Sequence, residues 1–328
     1  MDFEKLFKDF TTIKVAVIGD VMLDTYWWGR VDRISPEAPV PVVAVSKKEQ
    51  RIGGAGNVAL NLQSLGAAVS VLSVLGKDDD GDQLTKLFNS NSINTKHLVY
   101  SDERITTNKI RIISRNQHMM RLDAELTNDI SATDEEKLIK AFENYIATES
   151  PHVVVLEDYN KGVLTESCIT KIIGLCKQHH ILTTVDPKRK NFFAYKGVDI
   201  FKPNLKEVKE GLNLLSDEVS VNSLKDIHLQ LKDKLQHSIS FITLSEKGVF
   251  YNDEKNALLI PTHIRSIADV SGAGDTVIAV ASLVYAATKD VHLMADVANI
   301  AGGLVCEEVG TVAIDKQKLL EECKQLLN

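Results

Sequence analysis

The stretch Asp269-Val270-Ser271-Gly272-Ala273-Gly274-Asp275, followed at once by the apolar run Thr276–Ala287, decides how the chain is read. Gly272 and Gly274 free the backbone for a tight turn. Thr276–Ala287 is too long and too uniformly apolar for a surface strand, so it predicts a buried helix whose first turn carries Asp275. A glycine turn feeding a helix N-terminus presents unpaired N–H groups and the positive end of the helix dipole, which suits a phosphate or a developing oxyanion. A carboxylate inside such an anion site is a poor phosphate ligand. It is a good base, placed where a hydroxyl would meet an electrophilic phosphorus. The competing reading makes Asp275 a simple helix cap.

Outward from that stretch the chain alternates short apolar runs with helical patterns. Lys14–Gly19 is β-branched and apolar, as a strand buried on both faces of a parallel sheet must be, and it ends in Asp20-Val21-Met22-Leu23-Asp24. Two carboxylates at a strand's carboxyl end lie where open α/β sheets bind ligands, although Asp is also common in turns. Strands are expected at Val69–Leu75, Val153–Leu156, Ile181–Val185, Ile200–Lys202 and Ser240–Leu244, with helices near 82–89, 133–148 and 165–178. Polar residues follow each later strand: Glu157-Asp158, Asp186-Pro187-Lys188, Pro203–Glu207 and Ser245–Gly248. This rhythm predicts a doubly wound, mainly parallel α/β sheet with helices on both faces. Segments 292–307 and 316–327 carry helical patterns with a loop at Glu308–Thr311, and no linker divides the chain, so 1–328 is expected to form a single domain.

Two segments break the rhythm. Tyr26–Gln50 holds both tryptophans, and Pro36, Pro39 and Pro41 exclude a helix or a central strand there but allow an edge strand or extended flap. Thr106–Leu122 sets Lys109, Arg111, Arg115, Asn116, Gln117 and Arg121 among apolar residues, and alternation over Lys109–Ser114 predicts a two-faced strand pairing with the flap. The basic cluster suits a small anionic ligand, or else a solvated charged face. Segments of about 25–50 and 105–124 would together form a small β lid. Gly54-x-Gly56-x-x-Ala59 superficially matches a dinucleotide fingerprint, but Ser46–Arg51 is too polar for the buried strand that fingerprint requires.

With 328 residues, 44% hydrophobic and 25% charged, the chain can bury a sizeable core. A net charge of -7 without a dense basic block argues against nucleic-acid binding. Met1–Thr12 lacks a signal-peptide apolar core, and no uninterrupted apolar run reaches about 18 residues, so a cytoplasmic protein with no membrane partner is expected. Cys168, Cys176, Cys306 and Cys323 are scattered, as suits reduced thiols. No P-loop, H-E-x-x-H or G-x-S-x-G occurs.

Gly53-Gly54, Asn57, Ala59, Leu65-Gly66, Gly76, Asp78 and Gly81 resemble the first signature of the ribokinase-like (PfkB) carbohydrate kinases, and Asp269–Asp275 resembles the second. The resemblance covers almost the whole chain. Gly19–Asp24, Arg33–Val42, Ser114–Gln117 and Arg121–Asp123 look like one branch, the D-glycero-β-D-manno-heptose 7-phosphate kinases of lipopolysaccharide precursor synthesis. What the resemblance implies is an ATP- and Mg²⁺-dependent kinase acting on the C1 hydroxyl of a sugar phosphate. Asp275 would be the base, with the Gly272, Ala273 and Gly274 amides neutralising the phosphoryl group. Asp20, Asp24, Gly54 and Asn57 would bind sugar hydroxyls, with Asp158 a weaker candidate. Lys109, Arg115, Asn116 and Arg121 would serve the substrate phosphate, Arg115 or Arg121 foremost.

On the nucleotide side the resemblance implies Lys188, Ser245 and Gly248 at the ATP phosphates, Asn299 at the adenine and Asn204 with Glu207 organising Mg²⁺ through water. Ser245 stands where the common family pattern has Gly. A K⁺-type cation loop near Asp269 and Gly310 and a homodimer through the lid complete the expectation. In this branch the kinase also occurs fused to a nucleotidylyltransferase; the chain here reads as a kinase alone or as the kinase half of a longer protein. The rivals are another family kinase, for ribose or fructose 1- or 6-phosphate, and a non-catalytic sugar-binding regulator.

Overall fold

The computed structural model describes residues 1–115, 117–215, 219–263 and 265–327. The chain opens with α1 (Phe3–Asp9), β1 (Lys14–Gly19), β2 (Val21–Ile34), β3 (Pro41–Gly54), α2 (Ala55–Ser64), β4 (Ala68–Leu72) and β5 (Val74–Gly76). Next come α3 (Asp79–Ser90), β6 (Val99–Ser101), β7 (Asn108–Ser114), β8 (Gln117–Ala124), α4 (Ala132–Glu149), β9 (Val153–Glu157), α5 (Glu166–Gln178) and β10 (Leu182–Asp186). The remainder holds β11 (Ile200–Phe201), α6 (Leu205–Leu212), α7 (Val221–Leu235), β12 (Ile239–Thr243), β13 (Val249–Asn252), β14 (Ala257–Ile260), α8 (Ala273–Thr288), α9 (Val291–Val305) and α10 (Lys316–Leu326).

The central sheet runs β14-β13-β12-β11-β10-β9-β1-β4, parallel from β4 to β12 and antiparallel at the β13 and β14 edge. Strand alternation divides its apolar residues between two cores. Val15, Val17, Val153 and Val155 face one, with α1, α2, α8, α9 and α10; Ala16, Ile18, Val154 and Leu156 face the other, with α4, α5 and α7. Both faces are therefore covered, which is why these strands read as unbroken apolar runs.

The lid is a second sheet, ordered β3-β2-β7-β8. The flap is not loose: β2 and β3 are 14-residue strands paired antiparallel from Val21↔Gly54 to Ile34↔Pro41, with Pro36 and Pro39 at the bend between them and Pro41 opening β3. β7 pairs in parallel with β2, Asp24↔Lys109 to Gly29↔Ser114, and antiparallel with β8, Lys109↔Asp123 and Arg111↔Arg121. Ser46–Arg51 is a strand after all, but a lid strand antiparallel to β2, so no parallel βαβ unit precedes Gly54. The expected single strand Val69–Leu75 is split at Ser73, because β5 leaves the central sheet to pair with β6. Among the described residues, no helix is long and apolar enough to cross a membrane.

Candidate active site

α8 begins at Ala273 with Gly272 in the N-cap position, φ +79°, and puts Asp275 in its first turn. Gly272 is required twice over: its backbone is left-handed, and a Cβ there would lie 2.8 Å from Asn57 Nδ2. Asp275 is not the helix cap. Its carboxylate is buried and turns outward from the helix start, where Tyr159 Oη donates to Oδ1 at 2.6 Å and Asn57 Nδ2 donates to Oδ2 at 2.8 Å. Burial pushes its pKa up to about 6, against the two hydrogen bonds, with Asp186 adding to the rise. That value leaves the group mostly ionised and still basic at neutral pH.

Asn57 comes from α2, whose start is set by Gly54 at φ +60°, where a Cβ would meet Asp20 O at 2.4 Å. Asn61, one turn on, donates to Asn57 O at 2.8 Å and Asn57 Oδ1 at 3.3 Å, and its own Oδ1 accepts from Thr276 Oγ1 and from the Ile314 amide. With Oδ1 engaged, Asn57 can only present its NH₂ to Asp275.

The strand-end carboxylates divide by task. Asp20 does not face open space: its buried carboxylate accepts the Tyr159, Lys161 and Val163 amides at 2.8, 3.0 and 3.0 Å and fixes the loop after β9. Asp158 is likewise enclosed, accepting from the Asn160 amide and Tyr195 Oη, both at 2.7 Å. Asp24 is the one turned to the lid, where Arg111 Nη1 donates to it at 2.5 Å. Glu157 is fully buried and neither oxygen has a hydrogen-bond partner among the described residues; burial, then Asp186 and Asp275, push its pKa well above the carboxylate range.

One face of the lid looks toward Asp275. Asp24, Tyr26, Arg51, Lys109 and Arg111 share it by register, and Lys109 Nζ sits 5.7 Å from the Tyr159 ring centre. Lys109 is half-buried without an ion-pair partner among the described residues, and burial, then Lys161, depress its pKa. Arg121 shares this face as the partner of Arg111 but is exposed and doubly bonded to Asp123. Arg115 stands at the β7–β8 tip, exposed, with φ +49°. Neither of these two arginines reaches into the cleft in this structure, where Lys109 and Arg111 are the more buried cations of that face. Asn116 lies outside the described residues.

A cleft of about 1170 Å³ opens from Asp275 along the ends of β10 to β12; Gly272, Ala273, Gly274, Lys188, Asn204, Ser245, Gly248 and Asn299 all line it. Lys202, absent from the expectations, is 2% exposed and pairs with Asp186 at 2.6 Å. Asn299 Nδ2 donates to Pro261 O at 2.9 Å. Asn204 and Glu207 form a capping box on α6, and Glu207 Oε1 accepts from Lys188 Nζ at 2.8 Å. N-x-x-E was recognisable as such a box from sequence. Asp269 accepts from Ser271 through Oδ1 and from the Gly310 amide through Oδ2, tying two loops beside the α8 N-terminus.

No group of three or more His, Cys, Asp or Glu side chains suited to a metal occurs among the described residues. Mg²⁺ on a triphosphate needs none, since it keeps several waters and takes one or two carboxylates. The Glu207 carboxylate beside the cleft's lysines fits that arrangement.

Comparison with known proteins agrees with the geometry. Residues 12–318 match the pfkB family carbohydrate kinase profile. The "Bifunctional protein HldE" of Aliarcobacter butzleri is 41% identical over 311 residues, 94% of this chain and 63% of that protein. Its namesake in Sulfurimonas denitrificans is 38% identical over 318 residues, 97% of this chain and 65% of that protein. The chain thus spans less than two thirds of these relatives. Phosphofructokinase-2 from Escherichia coli, in complex with potassium, shares the fold with TM-score 0.78 at 17% identity, over 95% of this chain and 99% of that one. Arabidopsis thaliana ribokinase, complexed with ribose and ATP, does so with TM-score 0.72 at 14% identity, over 94% and 98%.

Proposed function

This chain belongs to the pfkB family of carbohydrate kinases, and from that premise we propose that it phosphorylates the C1 hydroxyl of D-glycero-D-manno-heptose 7-phosphate with ATP. The product would feed ADP-heptose synthesis for the lipopolysaccharide core. The observation that carries the reading is the position of Asp275, at a helix N-terminus, on the same cleft as Lys188, Asn204 and Gly248 and bonded to Asn57. Use of ATP and a phosphorylated sugar implies a cytoplasmic enzyme.

In this reading Asp275 takes the proton of the C1 hydroxyl as its oxygen bonds the γ-phosphorus and the bond to the ADP oxygen breaks. The amides at the start of α8 face the transferring group, and Lys188 faces the triphosphate. Glu207 would hold Mg²⁺ through water, and the ion would supply neutralisation of phosphate charge. Asp24 and Asn57 hold sugar hydroxyls. A half-buried ammonium with no ion-pair partner among the described residues, its pKa depressed by burial and Lys161 although Asp24, Glu125 and Asp123 act the other way, is a site that an anion relieves, so Lys109 takes the 7-phosphate, with Arg111 beside it. The bond from Asp269 to Gly310 suits a K⁺-binding loop, tested by comparing activity in KCl and NaCl. The opposite lid face carries Trp27, Ile110, Ile112, Met120 and Leu122, with Met120 56% and Leu122 42% exposed, and supports a homodimer, tested by analytical ultracentrifugation.

ADP release scored over heptose 7-phosphate, unphosphorylated heptose, ribose and fructose 1- and 6-phosphates tests the substrate. Heptose 7-phosphate should give the highest kcat/KM. Binding without ADP production would instead favour a silent regulator.

A further inference from the structure

We propose that Tyr159 is the positioning residue of the base: its phenol holds Asp275 in the orientation and charge state that proton abstraction requires. This rests on Asp275 acting as the base. The Asp275 carboxylate has two anchors from separate parts of the fold. Oδ2 is bonded by Asn57, which Asn61 locks from behind; Oδ1 is bonded by Tyr159 at 2.6 Å. A carboxylate on a helix start can rotate about χ2, and the second anchor removes that freedom.

Tyr159 is itself placed with care. Its amide donates to Asp20 at 2.8 Å, within the same carboxylate grip that holds Lys161 and Val163. Lys109 from the lid and Lys188 from the nucleotide cleft lie 5.7 and 5.5 Å from its ring centre, within reach of a cation–π contact. The ring thus stands between the cation assigned to the sugar phosphate and the cation assigned to the triphosphate, with its hydroxyl on the base.

The titratable groups around Asp275 are Glu157 at the end of β9, Asp186 at the end of β10 and Lys202 just past β11. Burial and Asp186 favour the protonated acid, while Tyr159, Asn57 and Lys202 favour the carboxylate. The phenol cannot replace Asp275 as proton acceptor, because burial and the charge of Asp275 push its pKa well above its ordinary value. It remains a donor.

Tyr159→Phe in the full chain tests this, with two readouts. The first needs no substrate: the carboxyl-carbon NMR signal of Asp275, assigned by its loss in Asp275→Asn, should titrate about one pH unit higher in Tyr159→Phe, because a donor to the charged form is gone. The second is kcat/KM for heptose 7-phosphate against pH, whose acidic limb should move up by the same amount, costing about tenfold below pH 6 and little at pH 8. An unmoved NMR midpoint, or a moved midpoint with an unmoved kinetic limb, overturns the proposal. If heptose 7-phosphate is not turned over even by the wild type, the substrate assignment fails, while a shifted midpoint still supports the phenol's hold on Asp275. A pH-independent loss of activity together with a lowered melting temperature would mark Tyr159 as merely structural and overturn the proposal.

Discussion

Asn57 Nδ2 lies 2.8 Å from Asp275 Oδ2, so two glycine-rich segments 218 residues apart meet at one carboxylate. Neither segment makes the site alone: the first supplies a donor of fixed polarity, the second a buried carboxylate at a helix start. Asp275→Asn removes the proposed proton acceptor and leaves the shape. We expect its kcat to fall by roughly 10² to 10⁴, with ATP binding and far-UV circular dichroism unchanged. Near wild-type turnover would remove Asp275 from the base role. Because burial raises the pKa of Asp275 to about 6, the wild-type rate should also fall about tenfold per pH unit below that value and plateau above it.

Gly272→Ala should damage the same contact from the other side. The left-handed backbone costs a β-carbon about 1–2 kcal/mol, and that carbon would press on Asn57 Nδ2. We expect a lower melting temperature and a kcat loss that exceeds any change in KM for ATP. A variant with normal kcat would show that Asn57 does not need its present position.

The strands of the central sheet were legible because each is a short β-branched run buried on both faces. β13 and β14 were not, being four residues each at an antiparallel edge. α1 was legible in principle, since Phe3, Leu6, Phe7 and Phe10 have helical spacing and are buried. Asp20 and Asp24 would share a face in one continuous strand, but the break between β1 and β2 falls at Asp20 and turns it toward the loop after β9 instead. That choice, like the bond from Tyr159 to Asp275, depends on residues more than a hundred positions away and leaves no local trace.

Asp158 offers a stability test. Its folded pKa is raised from 3.8 to about 6, chiefly by burial and then by Asp20, so the fold disfavours its charge. The sign follows: the stability associated with the neutral acid is complete below about pH 3.8 and is lost as pH rises through 6. Asp158→Asn removes the charge while its amide can still accept from the Asn160 N–H and donate to Tyr195. It should raise the melting temperature at pH 8 by an amount worth up to about 3 kcal/mol, at roughly 1.36 kcal/mol per pKa unit, with the gain vanishing near pH 4. Unchanged KM for the sugar would confirm a structural position; a large KM increase would restore Asp158 to the sugar site.

Glu207→Gln separates two roles that one carboxylate holds here. A glutamine keeps the capping box on α6 but loses the charge that meets Lys188. If Glu207 also holds Mg²⁺ through water, the loss of activity should be partly relieved by excess Mg²⁺. A defect indifferent to Mg²⁺ over a wide range would leave Glu207 as a cap and a partner of Lys188 only.

The proposed site for the substrate phosphate is tested by comparing Lys109 with Arg115. Lys109 sits on the lid face that looks at Asp275, half-buried and close to Tyr159, whereas Arg115 is exposed at the hairpin tip. Replacing an ammonium that meets a phosphate removes a charge-assisted bond of about 1.5–3 kcal/mol, or roughly 10- to 100-fold in affinity. Lys109→Met should therefore raise KM for heptose 7-phosphate by that factor, leave KM for ATP nearly unchanged and narrow the preference for phosphorylated over unphosphorylated heptose. Arg115→Ala should change none of these by more than about threefold, as expected of an exposed charge. The reverse result would place the phosphate at the hairpin tip, and would mean that the lid closes further over the substrate than the pairing of Lys109 with the Tyr159 ring implies.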